Sequence, residues 1–526
     1  MFTLFFRNLF SPILSFIMAS NQQASGISPK KTGPAAFFRR LFELIRGRKG
    51  ENKTYTKGPI AGTMLRTALV MLPGTLAISG YNLVDAYFVG RLDGDAPMAA
   101  IGLTAPLVMI CGCFFHGLSA GVMTTTAQSL GGKRRWRAEQ LVSTGLLLIT
   151  LVSLTFAIIG PIVTRAVYRN VMHASPEATR LATAYMDIWF WACVTSALGM
   201  SGNNLLVTAN DSKMASATMV LGLASNAFLD PLYMFQKEIC GIPVGFGLGV
   251  IGAAWATVTA QVIGTTPVLA ILWKKHHLIR FRAIRFAKLA SLWKRIVSFA
   301  VPACLGSLML PIGQFIMTWI TSHFGDVVIG AVTAAQRVQV LAFFFPMSLG
   351  VSLMPMIGQN YGARLYSRIN GCRRFAMRFA FLYLMTMSVL FFLFAPYIAG
   401  KFLSDDKIEM RAVMAFALRI LPWGFAFLEA HRYSGFFFTG CGRPLAAAML
   451  NVMRILGFLV PLSLLVLVFF RMTGNESASL TLLLSSQMGS DVLAGTIAMI
   501  LARRLTRRFP ADGVSETIPG GRRMFD

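Results

Sequence analysis

The stretch at residues 64–90 reads MLRTALVMLPGTLAISGYNLVDAYFVG, and it decides the class of fold. Apart from Arg66 near its start and Asp85 near its end, the stretch contains no charged residue. A helix of this length is long enough to cross about 30 Å of hydrocarbon. The stretch therefore predicts a membrane-spanning helix that holds one carboxylate.

The rest of the chain has the same character. Hydrophobic residues make up 55% of the 526 residues and charged residues 13%, whereas soluble domains have about 25% charged residues. We therefore predict an all-α membrane protein with 12 transmembrane helices. The predicted spans are 64–90, 98–128, 141–168, 181–204, 214–236, 247–273, 296–322, 327–358, 375–400, 410–431, 445–470 and 479–502.

Positive charge is distributed on one side of these spans. Most of the 49 Lys and Arg residues lie before the first span, in alternate loops, and after the last span. A net charge of +28 is by itself compatible with nucleic-acid binding, but this alternation follows the positive-inside rule. It predicts a bacterial-type inner membrane protein with both termini in the cytoplasm and no nucleic-acid partner.

An internal repeat divides the spans into two halves. TANDSKMASA at 208–217 aligns with TGCGRPLAAA at 439–448, an offset of 231 residues (439 minus 208). The same offset places QSLGG at 128–132 on QNYGA at 359–363. Because six spans separate equivalent points, we expect two six-helix bundles related by a pseudo-two-fold axis along the membrane normal.

Five regions follow from this organisation. The arm before the first span has no basic segment ahead of its apolar start, so we expect it to stay attached; a translation start at Met18 is the alternative. The predicted regions are a partly amphipathic cytoplasmic arm (1–60), an N-terminal six-helix bundle (61–273), a cytoplasmic amphipathic linker (274–295), a C-terminal six-helix bundle (296–504) and a cytoplasmic tail (505–526).

Cysteines and histidines show no pattern of a metal or catalytic site. The seven cysteines are scattered and contain no CxxC, and the six histidines form no HxxxH or HExxH. We expect the cysteines to be packing residues, and we expect no metal or cofactor. The absence of a nucleophile or phosphate-loop arrangement also disfavours a membrane-bound enzyme or a receptor scaffold.

Polar residues inside the spans are the candidate functional residues. Asn226 and Asp230 lie four residues apart and share one face of the fifth span, and Asp85 can join them from the first. An acid at the centre of a membrane helix costs roughly 2.5–3.5 kcal/mol on insertion scales. Oxygen ligands suit Na⁺, while burial beside a second acid favours a bound proton. These residue types therefore do not decide between Na⁺ and a proton as the bound ion.

The repeat provides an internal comparison for this site. Adding 231 to the positions of Asp85, Asn226, Asp230 and Thr257 gives residues without a liganding side chain, so a structural role common to both halves is disfavoured; for Thr257, a hydrogen bond to its own helix is the alternative. These equivalents are Ile316, Gly457, Pro461 and Met488.

Several motifs together resemble the multidrug and toxic compound extrusion (MATE) family, part of the wider multidrug/oligosaccharide-lipid/polysaccharide flippase superfamily. The resemblance covers most of the chain, from about residue 60 to about residue 505. The motifs are NLVDAYFVGRL (82–92), MAAIG (98–102), NAFLDP (226–231), GAAWAT (252–257) and GQNYGA (358–363).

The resemblance implies a function. It implies a monomeric secondary transporter in the lipid bilayer that exports amphipathic or cationic compounds, such as drugs and other xenobiotics, in antiport with Na⁺ or H⁺ by alternating access. The implied cation-coupling residues are Asp85, Asn226, Asp230 and Thr257. The alternative is a flippase for a lipid-linked oligosaccharide or related lipid precursor, whose phosphate would favour a cationic cavity; Asp85 and Asp230 argue against it.

The second half contains charges of its own. Glu429, Arg454, Asp491 and Arg337 fall inside predicted spans. They are interpreted as buried structural ion pairs, with a second polar site for a cation or drug as the alternative.

Further features are candidates for substrate contact. His116 and Gln314 lie within spans two and seven, and an interior histidine with ordinary partners is the alternative for His116. Residues 209–211 replace the Gly-rich turn of many MATE members, which predicts an altered turn. Aromatic residues are interpreted as packing or as a cavity lining for flat cations: Trp189, Phe190, Trp191, Phe343, Phe344 and Phe345.

Overall fold

The computed structural model describes residues 55–93, 96–170, 176–239, 242–280, 286–404 and 407–514. Each predicted span coincides with a helical segment in this part of the chain. The segments are α1 (Ile60–Val89), α2 (Ala96–Gly131), α3 (Arg135–Asn170), α4 (Pro176–Thr208), α5 (Ser212–Met234), α6 (Gly249–Lys274), α7 (Phe286–Ser322), α8 (Asp326–Gly362), α9 (Tyr366–Phe402), α10 (Ile408–Gly440), α11 (Pro444–Thr473) and α12 (Glu476–Arg507).

Two helices are locally irregular, and one connection contains strands. A 3-10 turn at Leu421–Gly424 interrupts α10, and a π-helical segment at Met453–Leu459 interrupts α11. Between α5 and α6 the strands β1 (Lys237–Ile239) and β2 (Ile242–Val244) form a short antiparallel hairpin. The sequence patterns did not predict this hairpin.

The helices have the lengths and composition of membrane spans. Among the described residues, 10 segments are long and apolar enough to cross a membrane. The other two helices, α5 and α12, are less apolar. They have 23 and 32 residues, so both are long enough to span a membrane. They carry Asp230 and Asp491, which lower their hydropathy. The prediction of an all-α, multi-pass membrane protein is confirmed.

The helices form two compact units. The N-terminal unit is Val70–Leu308, and the C-terminal unit contains the described residues up to Leu69 and from Met309 onward. In the N-terminal unit α4 packs against α2, α3, α5 and α6, and in the C-terminal unit α10 packs against α8, α9, α11 and α12. The fourth helix of each half, α4 or α10, therefore packs against four other helices of its own unit.

The turn after the second helix of each unit has the same capping hydrogen bonds. Lys133 and Arg364 both adopt left-handed backbone conformations, with φ of 56° and 60°. The N–H of the following residue donates to a carbonyl five positions earlier, that of Ser129 in one unit and that of Asn360 in the other. This is the Schellman pattern of helix termination, and it recurs at the predicted offset of 231 residues (364 minus 133).

The turn after the fourth helix of each unit shows that the predicted alignment of the two halves is wrong by one residue in this region. Its left-handed residues are Asn210, with φ of 64°, and Gly442, with φ of 77°, which gives an offset of 232 (442 minus 210). With this offset, the equivalents of the fifth-span pair are Phe458 and Leu462 in place of the two residues predicted from the sequence. Both are apolar, so the contrast between the two halves stays.

The altered turn at 209–211 has a structural role. Asn210 takes the left-handed conformation that glycine usually supplies. Asp211 Oδ2 accepts hydrogen bonds from Lys275 Nζ at 2.6 Å and from His276 Nε2 at 2.9 Å. The Asp211 carboxylate therefore links the residues that follow α6 to the turn between α4 and α5. The sequence predicted a changed turn here but not this ion pair.

We expect the contribution of Asp211 to stability to depend on pH. Burial alone would raise the pKa of Asp211, but hydrogen bonds and charge from Lys275 and His276 hold it below the ordinary value of the group. A carboxyl group with a lowered folded-state pKa stabilises the fold above its unfolded pKa of about 3.9, and the contribution disappears as the pH falls through the lower folded value. The stability difference between wild type and Asp211→Asn should be about 1 kcal/mol and constant above about pH 5.

Thermal melting of both proteins in detergent from pH 3 to pH 8 measures this. The two melting temperatures should converge only below about pH 4. Convergence at neutral pH would show that the ion pair contributes nothing.

Other predicted regions lie partly beyond the described residues. The amphipathic arm is described only from Tyr55, whose carbonyl accepts hydrogen bonds from Asn360 Nδ2 at 3.1 Å and Arg368 Nε at 3.3 Å. The tail after residue 514, residues 281–285 of the linker and Cys240 lie outside the described part. The cysteines within the described part are buried and form no disulfide: Cys111, Cys113, Cys193, Cys304, Cys372 and Cys441.

Candidate ion site in the N-terminal unit

Helices α1 and α5 are in close contact along the part of α1 that leads to Asp85. The backbone N–H of Gly74 donates to Ser216 Oγ at 3.0 Å. A Cβ at Gly80 would lie only 2.7 Å from a methyl carbon of Leu223. From the first contact to the second, the residue numbers rise along both α1 and α5, so the two helices run parallel. The next turns of the two helices therefore bring Asp85 beside Asn226.

The four predicted residues converge around one amide group. Asn226 Nδ2 donates to Asp85 Oδ1 at 3.2 Å and to Asp230 Oδ1 at 3.1 Å, and it lies 3.4 Å from Thr257 Oγ1. Thr257 Oγ1 in turn donates to Asp85 Oδ2 at 3.4 Å. Side chains from α1, α5 and α6 thus form one connected polar cluster. The structure brings together all four residues that the sequence singled out.

This cluster is enclosed and contains oxygen atoms without partners. Asn226 and Asp230 are 0% exposed and Thr257 is 6% exposed, while Asp85 is half-buried. Asn226 Oδ1 and Asp230 Oδ2 are buried and accept no hydrogen bond from the described residues. Buried carboxylates are costly unless they are neutralised, and oxygens without partners are suitable ligands for a hard cation or an acceptor for a proton.

Two tyrosines near the cluster were not predicted. Tyr185 on α4 is 6% exposed, and it lies near Thr257 and near the carboxylates of Asp85 and Asp230. Tyr81, one turn before Asp85, packs its hydroxyl against Gly222 of α5. Tyrosines in apolar surroundings give no periodic signal in the sequence, because they fit equally well in an ordinary core.

Pro231 directly follows Asp230 inside α5. Proline has no N–H, so the carbonyl of Ala227 lacks its usual helical donor. Ala227 is next to Asn226 on the same turn. The chain thus has a carbonyl oxygen without its usual helical donor at the residue after Asn226, which the sequence analysis did not single out.

Close packing between α5 and α6 sets the position of Thr257. A Cβ at Gly252 would lie 2.5 Å from the carbonyl oxygen of Tyr233 and 2.9 Å from the backbone nitrogen of Met234. Because these are backbone atoms, Gly252→Ala would push the helices apart, and we expect it to lower the free energy of unfolding by about 1–3 kcal/mol. Thermal melting in detergent measures this.

Gly112→Ala is the matched control for that change. Gly112 lies in α2 of the same unit, and a Cβ there meets no atom within 4 Å. The control should be neutral or stabilising by up to about 1 kcal/mol, because it removes only the flexibility of glycine. Equal melting of the two variants would contradict a close approach at Gly252.

The charges of the C-terminal unit form two ion pairs. Arg454 Nε lies 2.7 Å from Asp491 Oδ1 and joins α11 to α12. Glu429 Oε2 lies 3.1 Å from Arg432 Nη1 on the same helix, while Glu429 Oε1 is buried without a partner among the described residues. The sequence did not identify Arg432 as a partner. Arg337, which was predicted to be buried, is exposed.

The candidate substrate contacts differ in their exposure. His116 is exposed, and its Nδ1 lies 3.0 Å from Ser307 Oγ. Gln314 is also exposed. Trp189 and Phe190 are core residues with 7% and 3% exposure, whereas Trp191 is 66% exposed.

The fold and the site define a class of protein. Two repeated units of apolar helices, with Asp85 and Asp230 clustered around one amide within the spans of the first, are the features of a polytopic membrane transporter. The profile of the MatE family, which comprises the multidrug and toxic compound extrusion transporters, matches residues 73–232 and 302–465. The chain belongs to this family, and it is a transporter and not an enzyme.

Characterised relatives carry transport names. The FAD transporter of Shewanella oneidensis is 25% identical over 407 residues, which cover 77% of this chain and 88% of that protein. The multidrug export protein MepA of Staphylococcus aureus is 22% identical over 478 residues, covering 89% of this chain and 98% of the relative.

Solved structures share the fold. A MATE protein in complex with MaL6 superimposes with a TM-score of 0.78 at 22% identity, over 89% of this chain and 98% of that chain. An outward-facing multidrug resistance MATE family transporter of the MOP superfamily gives a TM-score of 0.77 at 22% identity, over 91% and 99% of the two chains. The resemblance predicted from the sequence motifs is confirmed.

Proposed function

We propose that this protein is a secondary active efflux transporter that exports amphipathic or cationic compounds in antiport with Na⁺ or H⁺. The observation that carries the proposal is the enclosed cluster of Asp85, Asn226 and Asp230, with two buried oxygens that have no partner among the described residues. One bound cation or proton would reduce the repulsion between the two carboxylates. Thr257 contributes a hydroxyl that is already in contact with Asp85.

Helix α1 provides a route from ion binding to conformational change. It contains Asp85, and the boundary between the two compact units falls within it, at Leu69 and Val70. Pro73 lies in the same helix and removes the hydrogen bond to the carbonyl of Leu69. Occupation of the site would change how α1 is held against α5, so the ion can favour one conformation of the transporter over the other.

The setting we propose follows from the charge pattern. The chain is placed in the cytoplasmic membrane of a bacterial-type cell, with both termini in the cytoplasm. The substrate is a small molecule, and the transporter acts as a monomer within the lipid bilayer.

Ethidium efflux from proteoliposomes tests the proposal. Wild-type protein is reconstituted, and a Na⁺ gradient and a pH gradient are imposed separately. Efflux driven by one gradient supports the antiporter and identifies the ion. No response of ethidium to either gradient would contradict multidrug antiport, and the flippase alternative would then be tested with a lipid-linked sugar.

Export of a flavin dinucleotide is the second candidate function. The similarity to the FAD transporter extends over 77% of this chain and favours this substrate. The same proteoliposomes loaded with FAD distinguish the two functions. FAD efflux without ethidium efflux would favour a dinucleotide carrier, and the reverse result would favour a multidrug transporter.

A further inference from the structure

Arg373 is a buried cation that has no carboxylate partner in the described part of the chain. It lies in the second turn of α9, in the C-terminal unit, and is only 8% exposed. Its Nη2 donates to Asn370 Oδ1 at 2.9 Å, and its Nη1 lies 3.7 Å from the sulfur of Met377. The buried Nε finds no acceptor there. A thioether is a weak acceptor, so most of the donors of this guanidinium group are poorly satisfied.

The surroundings of Arg373 add positive charge. Arg374 on the same helix and Arg503 on α12 are close enough to act on it electrostatically, and both are exposed. Within the described part of the C-terminal unit, no salt bridge involves any of the three. An acid at this end of α9, Asp512, instead accepts a hydrogen bond from the backbone N–H of Ser367 at 2.9 Å.

This arrangement differs from the other internal charges of the unit. Arg454 and Arg432 each have a carboxylate within 3.1 Å, whereas Arg373 has none among the residues that the structure describes. An unpaired buried charge is strongly unfavourable, so its retention calls for an anion that completes the cluster. Phosphate esters present several oxygens that match the planar donors of arginine.

We propose that Arg373, Arg374 and Arg503 form a binding site for the phosphate of an anionic ligand at the end of the C-terminal unit where α9 begins. Arg373 holds the phosphate from the protein interior, and the two exposed arginines reach it from the surface. The phosphate comes either from an anionic lipid headgroup, for which basic pockets at membrane-spanning helices are suited, or from a soluble phosphate compound. The site is separate from the carboxylate cluster, so the proposal does not depend on the coupling ion.

Native mass spectrometry of the full-length protein in detergent tests the lipid source. Dioleoyl phosphatidylglycerol, which is anionic, is compared with dioleoyl phosphatidylcholine, which carries no net charge. Wild type should retain the anionic lipid at least fivefold more, and Arg373→Gln and Arg503→Gln should each remove that preference. Lys401→Gln is the matched control, because Lys401 is an exposed cation at the opposite end of α9, and it should keep the preference.

Thermal shift with inorganic pyrophosphate tests the soluble source. Delipidated wild type should melt at a higher temperature with pyrophosphate if the ligand is a soluble phosphate, and with phosphatidylglycerol alone if it is a lipid. Either shift should be absent in Arg373→Gln. The exposed Arg503 provides a second test if Arg373→Gln does not fold.

Two results would overturn the proposal. One is wild type that shows no preference for the anionic lipid and no response to pyrophosphate. The other is folded Arg373→Gln or Arg503→Gln protein that keeps the wild-type preference for the anionic lipid or the wild-type response to pyrophosphate.

Discussion

Asp230→Asn is expected to abolish ion-driven transport in proteoliposomes, and Asp85→Asn is expected to do the same. The expected loss is at least tenfold for each variant, because the site then lacks one of the two negative charges that attract the coupling cation or proton. Asparagine is nearly isosteric with aspartate and preserves the hydrogen bond with Asn226, so the fold should be retained. The measurement is the initial rate of ethidium efflux under whichever gradient drives wild type, at equal amounts of reconstituted protein.

Asp187→Asn is the matched control for this experiment. Asp187 lies on α4 of the same unit, and its carboxylate pairs with Arg165 at 2.6 Å, with 57% of the arginine side chain and 33% of the aspartate side chain exposed. The same chemical change at this partly exposed pair should leave the efflux rate near that of wild type. Transport that survives in Asp230→Asn and Asp85→Asn, or that is lost equally in Asp187→Asn, would contradict a specific coupling role.

Arg454→Met should lower the free energy of unfolding by about 3–5 kcal/mol, since it leaves the carboxylate of Asp491 buried without its partner. The two side chains are 12% and 7% exposed and lie 2.7 Å apart. The double variant Arg454→Met with Asp491→Leu should recover most of the loss, because it removes both charges. Thermal melting in detergent measures the three proteins.

Transport by the double variant shows whether Arg454 and Asp491 are a structural ion pair or part of a second polar site. If the pair is structural, the stabilised double variant should export ethidium at no less than about half the wild-type rate. Loss of transport in a double variant that melts like wild type would instead assign a transport role to Arg454 and Asp491. Arg165→Met, at the exposed pair, is the stability control and should cost no more than about 1 kcal/mol.

Several features of the fold were predictable because they depend on local composition. The twelve apolar segments coincide with helices in the described residues, since the hydrophobic thickness of a membrane sets a minimum length for each span. The predicted repeat reappears in the capping of the turns at Lys133 and Arg364. The one-residue shift at Asn210 and Gly442 was missed, because the alignment rested on shared threonine and alanine and not on the backbone conformation of the turn.

The candidate site was predictable for a related reason. A carboxylate in an apolar span is conspicuous, and Asn226 and Asp230 have the spacing of one helix face. Their contact with Asp85 required the fold, as did the position of Tyr185 near Thr257. No sequence pattern predicted the hairpin between α5 and α6 or the pairing of Asp211 with Lys275. The residue types involved are also common in ordinary loops.

Direct ion binding to the purified protein tests whether Asp85 and Asp230 bind the coupling cation, as we propose. Equilibrium binding of radioactive Na⁺ is measured at pH 8, and proton uptake is measured with an indicator dye as the pH is lowered from 8 to 5, for wild type and for Asp230→Asn. Wild type should bind Na⁺ or take up a proton, and the variant should lose this binding. Identical Na⁺ binding and identical proton uptake by both proteins would contradict it.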